Sequence, residues 1–424
     1  KDLAQIFLNC LTAADKDASA PNQKLAQDII DTYHLVDTAI KTSHDFEQDD
    51  EGEMLDILAQ PLPVAYRTLL KDLRFDYVSM KDPATGKFKH HYTSYITGNN
   101  PPQQKMVRLA QELADLSTAL PIEHTNSIFV RVDDSRVDVM KALIMGSAGT
   151  PYAHGAFEYD IFFDDSYPNA PPKVNLTTTG SGKVRFNPNL YACGKVCLSL
   201  LGTWRGNASE NWDPKLSTLL QVLVSIQAII MSEEIYFNEP GFEGEAGTEE
   251  GERKNEAYSN IVRYCNIKYA MIEQIRNPPK GFETVIKRHF YLKKNEILEE
   301  CRKWIKYAEA REASYNGLVN DHNHTWCAEF KSSKTRYRDM LTEAVKELEA
   351  ELNKLSAPSG KELQQKVFKK KKEKKVEKTD IKTGIANIED IDVSYDKEVK
   401  TKEMNIEDEG VKDRWSRYIG AMGV

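Results

Sequence analysis

Between residues 103 and 121 the leucines fall at 109, 113, 116 and 120, in steps of four, three and four. That spacing puts them on one face of an α-helix, and Pro121 stops it. The period then changes. In "GAFEYDIFF" (155–163), Phe157, Tyr159, Ile161 and Phe163 recur at every second residue, as in a strand with one buried face. "SIFVRV" (127–132) and "VDVMKALIMG" (137–146) also read as strands, and the short turns between them predict an antiparallel meander. The prolines of "YPNAPPKVNL" (167–176) fix an extended path and remove amide donors, so the fourth strand is expected at an edge.

Helical patterns flank this centre. Residues 1–43 look helical, and "DFEQDDEGE" (45–53) reads as an exposed acidic linker. "PLPVAYRTLLKDLRFDYVSM" (61–80) suggests a helix and then a strand, before a turn cluster at 97–102. "LSTLLQVLVSIQAII" (216–230) is apolar nearly all round and is expected to be buried. Residues 241–256 read as a polar, glycine-rich loop, followed by helices near 256–275, 279–290 and 294–312. In 340–355, Leu341, Val345, Leu348, Leu352 and Leu355 form a stripe suited to docking on the core. The expected fold class is α+β. The expected organisation is a helical segment and linker at 1–60, a helix–strand extension at 61–102, a main domain at 103–292, a helical extension at 293–355 and a charged tail at 356–424. Within the tail, "KVFKKKKEKKVEK" (366–378) suits nuclear import, an acidic partner or simple solvation.

The net charge of −8 argues against general nucleic-acid binding, and no apolar run reaches the length of a membrane span. The first residues carry no secretory pattern, and the chain opens on Lys1, so a piece of a longer protein is expected. Six scattered cysteines read as reduced thiols of cytoplasm or nucleus.

Two of those cysteines, Cys193 and Cys197, stand four apart in "NPNLYACGKVCLSLL" (187–201). No second pair follows at a spacing that would complete a metal site. "HNHTWC" offers His322, His324 and Cys327 but no convincing fourth ligand. His154 and His289 lie in no motif that would pair them with a thiol as a hydrolase base.

The string "PYAHGAFEYDIFFDDSYPNAPPKV…FNPNLYACGKVCLSLL…NWDP" resembles the ubiquitin-conjugating enzyme family in order and spacing. "NLYACGKVCLSLLGTWRG", "YFNEPGFE" and "MIEQIRNPPKGFETVIKRHFYLKK" are most similar to the conjugating domain of the giant BIR-containing hybrid conjugating enzyme/ligases. The resemblance covers roughly residues 61–355, and no BIR repeat is present in this chain. It implies the conjugating fold: an N-terminal helix, a four-stranded antiparallel meander and C-terminal helices, here with extra flanking helices.

The resemblance also implies site residues. The family's catalytic cysteine comes eight residues after the Asn of a His-Pro-Asn motif, which here is Asn187-Pro188-Asn189 and Cys197. Cys197 would accept ubiquitin as a thioester from an activating enzyme and yield it to a substrate lysine. Asn187 replaces the usual histidine, whose role is mainly to shape the turn. The Asn189 amide is suited to donate to the oxyanion of the second step, or to support the loop, an effect worth roughly 3 kcal/mol. Glu239, with Tyr236 and Asn238, lies where the family places an acidic residue that helps the incoming lysine lose its proton. Trp212 is expected to support the site. Lys105 and Arg108, on the first helix of the domain, are candidates to dock the activating enzyme. "GTWRGNASEN" (202–211) is an insertion beside the site. No cofactor is implied, since ATP is used by the separate activating enzyme. The implied partners are ubiquitin, that enzyme, protein substrates and ligase regions of a larger polypeptide, with neither nucleic acid nor membrane. The rival reading is a non-catalytic adaptor of the same fold. "DRWSRYIGAMG" (413–423) faintly resembles a segment of ubiquitin-activating adenylation domains.

Overall fold

The computed structural model describes residues 51–96, 101–204, 206, 209–310, 327 and 336–360. The expectations for residues 1–50, His322, His324 and the tail beyond 360 lie outside them. The described residues fall into two compact units, one within 61–357 and the other made of 51–60 with 358–360. In the second unit residues 51–58 are helical, so the end of the expected acidic linker is helix, and Glu51 accepts the Gly360 N–H at 2.9 Å.

The larger unit begins with α1 (Leu62–Leu70), opened by Pro61, and β1 (Phe75–Val78). Next come α2 (Gln103–Ala119), β2 (Ile128–Asp133), β3 (Val139–Met145), β4 (Ala156–Phe162) and β5 (Lys173–Leu176). β2 to β5 form the expected antiparallel meander, with β5 at an edge. The sheet has five strands rather than four, because β1 pairs in parallel with β2, Phe75 opposite Val130. Arg131 fixes this addition. Its guanidinium is buried in β2, donates to the carbonyls of Leu73 (2.9 Å) and Gly281 (2.7 Å), and stacks over Phe282.

The leucine stripe of α2 is buried as its spacing predicts. The helix α3 (Leu219–Ser225) starts on a capping box between Thr218 and Gln221 and continues as a π-turn, Ile226–Ile230. Most of it is core, but Ile229 and the preceding Leu216 are exposed. The expected loop at 241–256 is shorter than its composition suggested. The Thr248 hydroxyl accepts the Gly251 N–H and starts α4 (Glu249–Cys265), which runs through a π-segment (Asn266–Ile272) into α5 (Glu273–Arg276).

The two helices expected at 279–290 and 294–312 are one, α6 (Glu283–Ala310). Lys293, between the two expected helices, is buried within it and donates to the His124 carbonyl. α7 (Tyr337–Lys354) docks by Leu341, Val345, Leu348 and Leu352, and Arg276 pairs with Glu347 and Glu351 on its flank.

Candidate active site

The segment with both cysteines is a small hairpin fastened to the free side of β5. Leu190 bridges Val196, the Tyr191 N–H donates to the Lys195 carbonyl (3.0 Å), and the Cys197 N–H donates to the Asn189 carbonyl (2.9 Å). On its outer side Asn175 bridges Lys195, and the Leu176 N–H donates to the Gly194 carbonyl at 2.8 Å. Gly194 has φ +87°, and a Cβ there would meet the Asn175 side chain and Leu176 carbonyl at 2.5 Å. Only glycine lets the hairpin approach the strand this closely. Cys193 is exposed at the tip, whereas Cys197 is buried at the base, and both are thiols.

The base of the hairpin is held by Asn187, which is fully buried. Its amide donates to the Ile230 carbonyl (2.7 Å) at the end of α3 and to the Tyr152 hydroxyl (3.1 Å), and its carbonyl accepts the Asn189 N–H at 2.9 Å. Tyr152 in turn donates to the Phe186 carbonyl. One asparagine side chain thus supplies two donor contacts and an acceptor at the base of the hairpin. Pro188 is buried beside it. The Asn189 side chain donates to the Cys197 carbonyl at 3.1 Å, so it secures the backbone of Cys197. Thr203, in the insertion, closes the other side by accepting from Leu198 N–H and donating to the Val196 carbonyl.

Burial pushes the Cys197 thiol up, and the charges of Lys195 and Arg185 act in the opposite direction without reversing it. Near neutral pH the group is a thiol with cationic neighbours that favour its thiolate.

Glu239 follows a short turn, Tyr236–Asn238. Its Oε2 accepts from Arg185 at 2.9 Å, and Arg185 also donates to the Pro188 carbonyl at 2.6 Å. Asn238 reaches the Asn187 carbonyl at 3.4 Å. The structure therefore brings Asn187, Pro188, Asn189, Cys197, Asn238 and Glu239 together. Tyr236 faces away, stacked on Phe242 with its N–H on Asn255. Trp212 secures the proline-rich turn, donating to the Pro168 carbonyl at 2.7 Å and packing on Tyr167.

Lys105 and Arg108 are not the exposed docking pair expected from the sequence. Lys105 is fully buried, with Nζ 2.7 Å from Asp138 and 3.3 Å from Asp165. Arg108 pairs with Glu112 and donates to the Ser217 carbonyl at 2.6 Å, joining α2 to the approach of α3. Helical spacing reveals the Arg108–Glu112 pair, but not that the buried Asp138 claims Lys105 or that the Pro214 and Ser217 carbonyls claim Arg108. Tyr152, Arg185, Tyr191 and Lys195 are the contributors missed by sequence reasoning. Tyr191 and Lys195 lie inside the quoted motif and were legible as neighbours of the cysteines. Arg185 was not, since its acidic partner is 54 residues away.

The ubiquitin-conjugating enzyme family model matches residues 108–266. The human dual E2 ubiquitin-conjugating enzyme/E3 ubiquitin-protein ligase BIRC6 is 43% identical over 302 residues, covering 70% of this chain and 6% of that protein. The probable ubiquitin-conjugating enzyme protein 17 of Caenorhabditis elegans is 50% identical over 198 residues, 47% of this chain and 27% of the relative. The chain thus spans a small fraction of these long relatives. The putative ubiquitin-conjugating enzyme E2 38 of Arabidopsis thaliana is 42% identical over 242 residues, 56% of this chain and 72% of the relative. A five-stranded sheet carrying a thiol on a hairpin at its edge, an asparagine-anchored turn eight residues before that thiol, and these similarities together have one reading: the chain belongs to the ubiquitin-conjugating enzyme family.

Proposed function

We propose that this chain is the conjugating module of a large hybrid conjugating enzyme/ligase, that it accepts ubiquitin on Cys197 and that it passes it to substrate lysines. The observation that carries this reading is the Asn189–Cys197 frame. The Asn189 side chain and backbone both hold the backbone of Cys197, while Asn187 locks the turn to the end of α3.

In the first step the Cys197 sulfur attacks the thioester carbonyl presented by the activating enzyme. A new S–C bond forms, and the activating enzyme's thiolate leaves and takes up the proton. ATP is spent on that enzyme, and this chain needs no cofactor of its own. In the second step a substrate amine attacks the Cys197 thioester. The N–C bond forms, the C–S bond breaks, the amine proton passes to a base or solvent, and Cys197 leaves as a thiolate. In this reading Asn189, which donates to the Cys197 carbonyl, supports the oxyanion loop, and Glu239 helps the amine lose its proton. The partners are ubiquitin, its activating enzyme, protein substrates and ligase regions of a longer polypeptide, in cytoplasm or nucleus.

The test is a thioester assay with activating enzyme, ATP and ubiquitin, resolved on non-reducing gels. The expected result is a thiol-sensitive adduct that persists in Cys193→Ser and is lost or becomes thiol-resistant in Cys197→Ser. No adduct with ubiquitin or any ubiquitin-like protein would favour the adaptor reading instead.

A further inference from the structure

We propose that Arg185 is a positioning residue of this site: its guanidinium fixes Glu239, the Pro188 carbonyl and the ring of Tyr191 in one arrangement around Cys197, and transfer to lysine depends on that arrangement. The inference rests on the conjugating reading above and adds the residue that assembles its second step.

Two separate pieces of chain, the hairpin that carries Cys197 and the turn that leads to Glu239, meet at this guanidinium. It lies 2.9 Å from Glu239 Oε2, 2.6 Å from the Pro188 oxygen and 4.4 Å from the centre of the Tyr191 ring. Tyr191 and Pro188 both belong to the hairpin that carries Cys197, so the guanidinium braces that hairpin at two points. The backbone of Arg185 is itself held, because the Tyr258 hydroxyl of α4 donates to its carbonyl at 2.9 Å.

Arginine suits this work for a reason of shape. Its planar fork carries several donors and a face, so it can pair with a carboxylate, donate to a carbonyl and stack on an aromatic ring at once. A lysine in its place would keep the charge and lose the fork and the stacking face. Glu239 gains a defined position from the pair, since it lies just beyond a three-residue turn. Both side chains are about three-quarters shielded from solvent (23% and 27% exposed), so the contact is more than a surface ion pair.

The experiment loads the full chain with ubiquitin, quenches the activating enzyme, and follows discharge of the isolated thioester to free lysine over a range of amine concentrations and pH. Starting from loaded protein removes any effect on loading. Arg185→Lys and Arg185→Gln are each expected to slow discharge at saturating lysine about tenfold, the order of loss expected when a reacting group is misplaced. The two variants separate charge from shape. Alkylation of Cys197 should keep its pH midpoint in Arg185→Lys and move to higher pH in Arg185→Gln, where a cation near the sulfur is gone. Glu239→Gln breaks the same contact from the other side and guards against misfolding of the arginine variants. The double variant Arg185→Gln/Glu239→Gln should be no slower than the slower single variant, as for two residues acting as a unit.

Discharge at the wild-type rate in both arginine variants, or fully additive losses in the double variant, would overturn the proposal. A wild-type chain that never loads would instead refute the conjugating reading, a distinguishable result.

Discussion

The Asn187 side-chain amide lies 2.7 Å from the carbonyl oxygen of Ile230, the last residue of the π-turn that ends α3. A helix ends with carbonyls that have no partner of their own, and here the turn before Cys197 supplies one. The active segment is thereby registered on a buried helix end, while its outer side is registered on β5.

Truncating that tie should therefore unfold more than the turn. Asn187→Ala leaves a buried carbonyl without its donor and is expected to cost about 1–3 kcal/mol. Urea unfolding of the variant and wild type checks this, and an unchanged midpoint would count against the anchor. Asn187→His should fall between them, since a neutral imidazole donates through one nitrogen only.

Asn189 is expected to matter after loading rather than before it. Asn189→Ala should still accept ubiquitin, but its lysine discharge should fall by roughly 10²–10³ if the amide supports the oxyanion. Single-turnover discharge beside loading kinetics reads the two steps separately, and equal loss in both would point to a purely structural role.

The Cys197 thiol should react as one held above the ordinary cysteine range. Its alkylation rate, followed by mass mapping of the modified cysteine, is expected to rise with pH to a midpoint above the ordinary cysteine range. Burial is the main cause, and Lys195 opposes it. Lys195→Ala should therefore move the midpoint higher still.

Mild acid should destabilise the protein through two histidines. His289 is fully buried, with its ring nitrogens 2.8 Å from the Tyr66 hydroxyl and 3.0 Å from the His154 carbonyl, and burial pushes its pKa down to about 3. Burial likewise pushes His154 down to about 2. Between these values and the unfolded value near 6.5 the unfolded chain binds more protons, so stability rises with pH across that window. The contribution is complete above about pH 6.5 and is lost as pH falls, at up to roughly 1.4 kcal/mol per pH unit for each histidine. Thermal melts from pH 7 to pH 5, where few carboxylates titrate, should show the decline, and His289→Gln should make it shallower.

Lys105 should prove to be a stability residue. Lys105→Met leaves Asp138 buried with Arg136 as its remaining cation, and is expected to cost about 3 kcal/mol. Burial pushes the Asp138 carboxyl up, but hydrogen bonds from Arg136 and Lys105 outweigh it and hold it below the ordinary aspartate range. That contribution is present above the unfolded aspartate pKa and is lost as pH falls through the folded one. Chemical unfolding at pH 7 checks the loss, and the gap between variant and wild type should hold down to about pH 4 and narrow only below the unfolded aspartate pKa of about 3.9.

Period and punctuation in the sequence determined the meander, the α2 stripe, the edge position of β5 and the register of Cys197 eight residues after Asn189. These depend on contacts between near neighbours or on the two-residue and 3.6-residue repeats of regular backbone. Tertiary structure alone decided the parallel pairing of β1 with β2, because a four-residue strand carries little pattern and its guarantor, Arg131, answers to carbonyls at 73 and 281. Likewise, nothing local distinguishes the buried Lys105 from a surface helix lysine, or shows that Arg185 would meet Glu239. Each charge was legible as a charge, but its partner lay tens of residues away, and only folding brought the two within hydrogen-bond distance.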